Sequence, residues 1–123
     1  MTRDFRRILA WEKAHLLTLD VYKASGRFPN DEKFGLVSQI RRAASSIPTN
    51  IAEGCGRDTL CELARFIDIA NGSASEVEYQ LLLARDLGYL AKDQHEDLSA
   101  RLSEIRRMLV AFKKKLQSDR SVN

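Results

Sequence analysis

Proline occurs only twice in 123 residues, and glycine six times. So few turn formers argue against a fold of short strands joined by tight turns. Cysteine is equally sparse. Cys55 and Cys61 do not have the C-x-x-C spacing of a redox or zinc motif, and a zinc site would need two more ligands from a chain with only two histidines. Both thiols are expected to be free and reduced. No stretch approaches the roughly eighteen apolar residues of a membrane span. The charged opening MTRDFRR is not followed by the apolar run of a secretory signal. The expectation is one cytoplasmic domain covering residues 1–123, with no membrane segment.

Charge is present but uneven. The net charge is +3 with a pI near 9.0. Arg101, Arg106, Arg107, Lys113, Lys114, Lys115 and Arg120 face only Glu104 and Asp119 over the last segment, and Arg3, Arg6 and Arg7 open the chain. Basic character therefore gathers at the two ends.

Four apolar registers with steps of three and four run along the chain. The first holds Ala10, Ala14, Leu17, Val21 and Ala24, and should stop near Ser25-Gly26. The second holds Val37, Ile40, Ala44, Ile47 and Ile51, opening after Asn30 or Asp31 as N-cap. The third runs Leu63, Ile67, Ala70, Ala74, Val77, Leu81, Ala84 and Gly88, with Thr59 and Glu62 as a capping box. Its alanines, with Gly72-Ser73 nearby, should let neighbouring backbones approach closely. The fourth runs Leu98, Leu102, Ile105, Leu109, Phe112 and Leu116, with Asp93 and Glu96 in its first turn. Helices of about seventeen to thirty residues with short connections predict an all-α, antiparallel up-down four-helix bundle.

Some apolar residues fall off these stripes: Trp11, Leu19 and Tyr22 on helix one, and Ile69, Leu83 and Leu87 on helix three. A second apolar face on two helices points to self-association.

The stretch SSIPTNIAEGCGR, Ser45 to Arg57, carries the conspicuous proline and a glycine pair. Pro48 removes the partner of the Ala44 carbonyl, so helix two should kink there, eased by the hydroxyls of Ser45, Ser46 and Thr49. Gly54 or Gly56 would then end the helix in the left-handed conformation. A phosphate-binding loop would need a strand before the glycines, and neither G-x-G-x-x-G nor G-K-[ST] is completed. The stretch reads as a helix–helix corner.

Two sequence blocks surround that corner, IRRAASSIPTNIAEGCGR and FIDIANGSASEVEYQLLLARDLGYL, and a third, FRRILAWEKAHLLTLDVYKASGRFPNDEKFGLVSQ, precedes it. Together they resemble the bacterial four helix bundle protein family, which includes proteins encoded in intervening sequences of 23S ribosomal RNA genes. The resemblance covers nearly the whole chain up to about Leu90. It rests on Arg41-Arg42-Ala43, Ile47-Pro48, Asn50 to Gly54, Arg57, Gly72-Ser73 and Glu76. It implies a homopentameric ring without established catalytic activity. A related branch, the accessory variability protein of diversity-generating retroelements, works with a reverse transcriptase and nucleic acid. This chain departs from it in Cys55, Cys61 and a moderate charge.

Catalytic and cofactor chemistry finds no constellation in the sequence. Glu12-x-x-His15 is one half of a di-iron motif, but His95 has Lys92 where the second half needs a glutamate. Neither histidine has an arginine at the spacing of the bundle-shaped HEPN-type ribonucleases. Glu53, Glu62, Glu76 and Glu78 are too dispersed for an acid–base pair, and Glu53 or Glu76 is expected to pair with Arg41, Arg42 or Arg57. No cofactor, metal or catalytic residue is expected. Candidate nucleic-acid contacts are Arg41, Arg42, Arg57, Arg106, Arg107, Lys113, Lys114 and Lys115, since phosphates reward positive charge whatever the sequence. The alternative is a scaffold that recruits a partner protein, with structural arginines.

Overall fold

The computed structural model describes residues 3–122, with side chains described for 3–119. Arg120 therefore has its side chain outside the described residues. Four helices follow in order: α1 Leu9–Ser25, α2 Leu36–Cys55, α3 Leu60–Asp86 and α4 Lys92–Val122. Short 3-10 turns at Phe5–Arg7 and Asn30–Glu32 precede α1 and α2. Each helix packs on the next, and α4 returns to α1. Cross-helix pairs fix the direction. Lys113 meets Asp68 while Arg106 meets Glu78, and Arg101 meets Asp20 while Lys13 meets Glu104. Numbers rising on one helix fall on its neighbour, so the bundle is antiparallel and up-down.

The four registers form the core. Leu17, Val21, Ile40, Ile47, Ile51, Ile67, Val77, Leu81, Leu102, Ile105, Leu109 and Leu116 are essentially removed from water. Each such side chain contributes about 1.5–3 kcal/mol of transfer free energy. Ala14, Ala44, Ala70, Ala74 and Ala84 lie fully buried between them, which keeps the helices close.

Helix α2 runs unbroken through Pro48. The Ala44 carbonyl is met from another helix: Thr18 Oγ1 of α1 lies 3.1 Å from it and 2.8 Å from the Ala14 carbonyl, sharing one proton. The hydroxyls expected to help do not reach it. Ser45 donates to the Arg42 carbonyl, and Ser46 bonds Ser73 across the α2–α3 seam at 2.8 Å.

The ends of the helices correct several expectations. Helix α2 is not capped by Asn30 or Asp31, which lie in the preceding 3-10 turn. Glu32 takes that role, accepting from the Leu36 N–H with one carboxylate oxygen and from the Tyr89 hydroxyl, at 2.9 Å, with the other. That bond raises the Tyr89 phenol above its ordinary range, helped by desolvation. The start of α4 is held by Gln94, whose side chain accepts from the Ala91 N–H, and Asp93 accepts from the Gln94 N–H. Thr59 caps α3 as expected, accepting from the Glu62 N–H.

Neither Gly54 nor Gly56 is left-handed; among the described residues only Gly88 has a positive φ, of 80°. Gly88 leaves the α3 stripe and ends that helix in a Schellman turn, with Gly88 N–H on the Arg85 carbonyl and Tyr89 N–H on that of Ala84. Gly54 serves close approach instead: a Cβ there would sit 2.8 Å from Leu63 Cδ1 and 2.9 Å from Phe66 Cβ. Gly72, by contrast, has open space around it and brings no backbones together.

Candidate nucleic-acid interface

The expected cations divide into engaged and unengaged groups. Arg41 is engaged throughout: its Nε donates to Ser25 Oγ at 2.8 Å, its Nη2 to the Tyr22 carbonyl, and its guanidinium lies over the Tyr22 ring. It ties α2 to the end of α1. Arg57 stacks on Phe66, 4.8 Å from the ring centre. Arg42 donates to Ser38 at 3.5 Å. Arg106 donates to Asn71 and Glu78, and Lys113 to Asp68, so both stitch α4 to α3. Glu53 and Glu76 pair with none of Arg41, Arg42 and Arg57 among the described residues; Glu76 instead accepts from Gln80.

Arg107, Lys114 and Lys115 are different. All three are exposed and have no carboxylate within ion-pair distance among the described residues. Arg107 and Lys114 are two helical turns apart on α4, so they share a face. With Val110 and Ala111 between them, they border an open groove of about 460 Å³ whose far wall is Asn71 of α3. A second groove continues past Lys113 and Lys114 toward Gln117. The result is a cationic strip with an apolar floor along the α3–α4 edge.

Near the first turn of α1 the surface is aromatic. Phe5 meets the edge of Trp11, with ring centres 4.8 Å apart, and Trp11 lies parallel to His15 at 5.1 Å. Trp11 and His15 form one wall of a groove of about 390 Å³, opposite Ser45, Thr49 and Glu53 of α2. No spacing rule pointed to this cleft, since its walls come from two helices.

Of the candidate self-association residues, Leu19, Tyr22, Ile69 and Leu87 are exposed. Trp11 and Leu83 are half-buried and pack against the core. Leu9, Leu16, Tyr79, Leu82 and Phe34 enlarge the exposed apolar surface, Phe34 being 90% exposed in the α1–α2 connection.

Cys55 is buried and Cys61 exposed, both as free thiols, and burial pushes the Cys55 thiol above its ordinary range. Among the described residues no three His, Cys, Asp or Glu side chains are placed to hold a metal ion. Among the same residues no helix is long and apolar enough to cross a membrane.

The fold is similar to a crystal structure of a protein of unknown function from the S23 ribosomal protein family of Bacteroides thetaiotaomicron. The TM-score is 0.80 at 25% identity, over 86% of this chain and 96% of that one. No curated protein matches the chain. The family model for 23S rRNA-intervening sequence proteins matches residues 6–111, which takes in α1 to α3 and the first two-thirds of α4. With most of the four-helix architecture in that span, the chain belongs to the 23S rRNA-intervening sequence protein family.

Proposed function

We propose that this protein is a non-enzymatic bundle of the cytoplasm that assembles as a homopentameric ring and binds RNA or DNA with little sequence specificity. It would work beside a nucleic-acid enzyme such as a reverse transcriptase. The observation that carries the binding reading is the trio Arg107, Lys114 and Lys115, exposed and without a carboxylate partner among the described residues, with Arg107 and Lys114 bordering an open groove. Cations already committed to carboxylates, such as Lys113, would have to surrender a partner before meeting phosphate; these three would not. The ring is supported by the exposed apolar residues of α1 and α3. Symmetry would repeat the net charge of +3 in every copy, strengthening the field of the particle.

Light scattering on a sizing column, with absorbance read at 260 and 280 nm, tests the ring and any co-purified nucleic acid together. The strip is tested by replacing Arg107, Lys114 and Lys115 with glutamine. Counterion release predicts that the slope of log affinity against log salt falls in magnitude by about two to three. An unchanged slope removes the strip from the interface, and a monomer removes the ring. A second reading rests on Phe34 and Tyr79, exposed by 90% and 61%: a scaffold that recruits a partner protein through its apolar surface. Salt-insensitive protein capture without nucleic acid would decide for it.

A further inference from the structure

We infer that the cleft beside Trp11 is a pocket for one unpaired nucleobase, guanine before the others, of a single strand crossing the start of α1. This rests on the nucleic-acid reading above and adds a second surface with a different task.

Three features of the cleft converge on a flat, hydrogen-bonding ligand. The first is the ladder Phe5, Trp11 and His15, in which His15 is the exposed end. A parallel imidazole on an indole leaves a ready platform for one more ring, and every base has a π-face to offer. The second is the space. The groove holds about 390 Å³ and its floor includes Pro48 and Ala52, apolar groups against which a base loses little by leaving water. The third is Glu53 on the opposite wall. Its carboxylate has no hydrogen bond or ion pair among the described residues, although it stands in a groove with the hydroxyls of Ser45 and Thr49. An ionised carboxylate accepts and cannot donate. It therefore selects a base edge with N–H groups, and guanine presents two side by side on its Watson–Crick edge.

Charge decides between a nucleobase and the cationic side chain of a protein partner. Arg3, Arg6 and Arg7 all lie on the segment that packs against α1 and α2 at this end. Arg3 is pinned there by its N–H on the Cys55 carbonyl, and Arg6 lies over the Phe5 ring at 4.5 Å. Arg6 pairs with Asp4 at 3.3 Å, but three arginines against one aspartate leave this segment basic, which repels a basic peptide and attracts a phosphodiester backbone. Glu53 keeps phosphate itself out of the cleft, so the base enters and the backbone stays on the rim. A duplex cannot deliver a base in this way without unpairing it.

Trp11 is the chain's one tryptophan, so its emission reports on this cleft alone. The full-length protein would be titrated with a short oligothymidylate, the same strand carrying one central guanine, and a duplex of that second sequence. The guanine strand is expected to quench Trp11 and to bind about tenfold tighter than oligothymidylate, while the duplex binds without quenching. Glu53→Gln should abolish the guanine preference, and His15→Ala should weaken both single strands by about tenfold while leaving duplex binding unchanged. Both side chains are exposed, and thermal melting checks that the variants fold. Binding of all three ligands with equal affinity and no quenching overturns the pocket and leaves the α4 strip standing. Absence of any binding overturns both.

Discussion

Thr18 Oγ1 lies 3.1 Å from the Ala44 carbonyl oxygen, the acceptor that Pro48 deprives of its helical donor. A proline defect in one helix is thus made good by a hydroxyl on its neighbour. Thr18→Val keeps the shape and removes the donor, leaving a buried carbonyl unsatisfied. The expected loss is about 1–3 kcal/mol. Pro48→Ala restores the backbone N–H, so the same Thr18→Val change should be markedly milder in that background. Urea unfolding of the four variants in a double-mutant cycle measures the coupling, and additive effects would show that the hydroxyl does not serve this carbonyl.

Gly54→Ala should destabilise although alanine is the better helix former by about 1 kcal/mol. The new methyl meets Leu63 Cδ1, which can turn aside, but also Phe66 Cβ, which is fixed to the α3 backbone. Separating α2 from α3 at this point should cost about 1–3 kcal/mol, more than the propensity gain. Denaturant midpoints for wild type and variant check the sign.

The two thiols should react in sequence. Cys61 lies exposed near the start of α3, whereas Cys55 is buried and its pKa is raised by burial, which keeps it protonated. A thiol reagent should modify one cysteine in the folded protein and the second only on unfolding, with Cys61→Ser abolishing the fast phase. Rapid loss of both thiols from the folded protein would contradict the buried position of Cys55.

The core and the helix count were legible because burial repeats with the helical period. Every member of the α3 register from Leu63 to Ala84 is buried, and Gly88 fell outside because its φ of 80° ends the helix. Caps were less legible. Asn30 and Asp31 are good capping residues by type, but the carboxylate that reaches α2 is that of Glu32, placed by a 3-10 turn and by Tyr89 from far along the chain. The candidate interface was half legible. Residue type marks Arg41, Arg106 and Lys113 as cations, while only packing reveals that each is already bound within the bundle. The Trp11 cleft was not legible at all, since it exists only where α1 and α2 are side by side.

The Glu32 carboxylate joins the first turn of α2 to the turn between α3 and α4. During synthesis the N-terminal half emerges before Tyr89 exists, so nothing then holds the second oxygen of that carboxylate. The connection between α1 and α2 therefore gains its last anchor only when the second helical hairpin folds back. One carboxylate thereby couples the two turns at this end of the bundle, so that loosening either turn frees an oxygen that anchors the other.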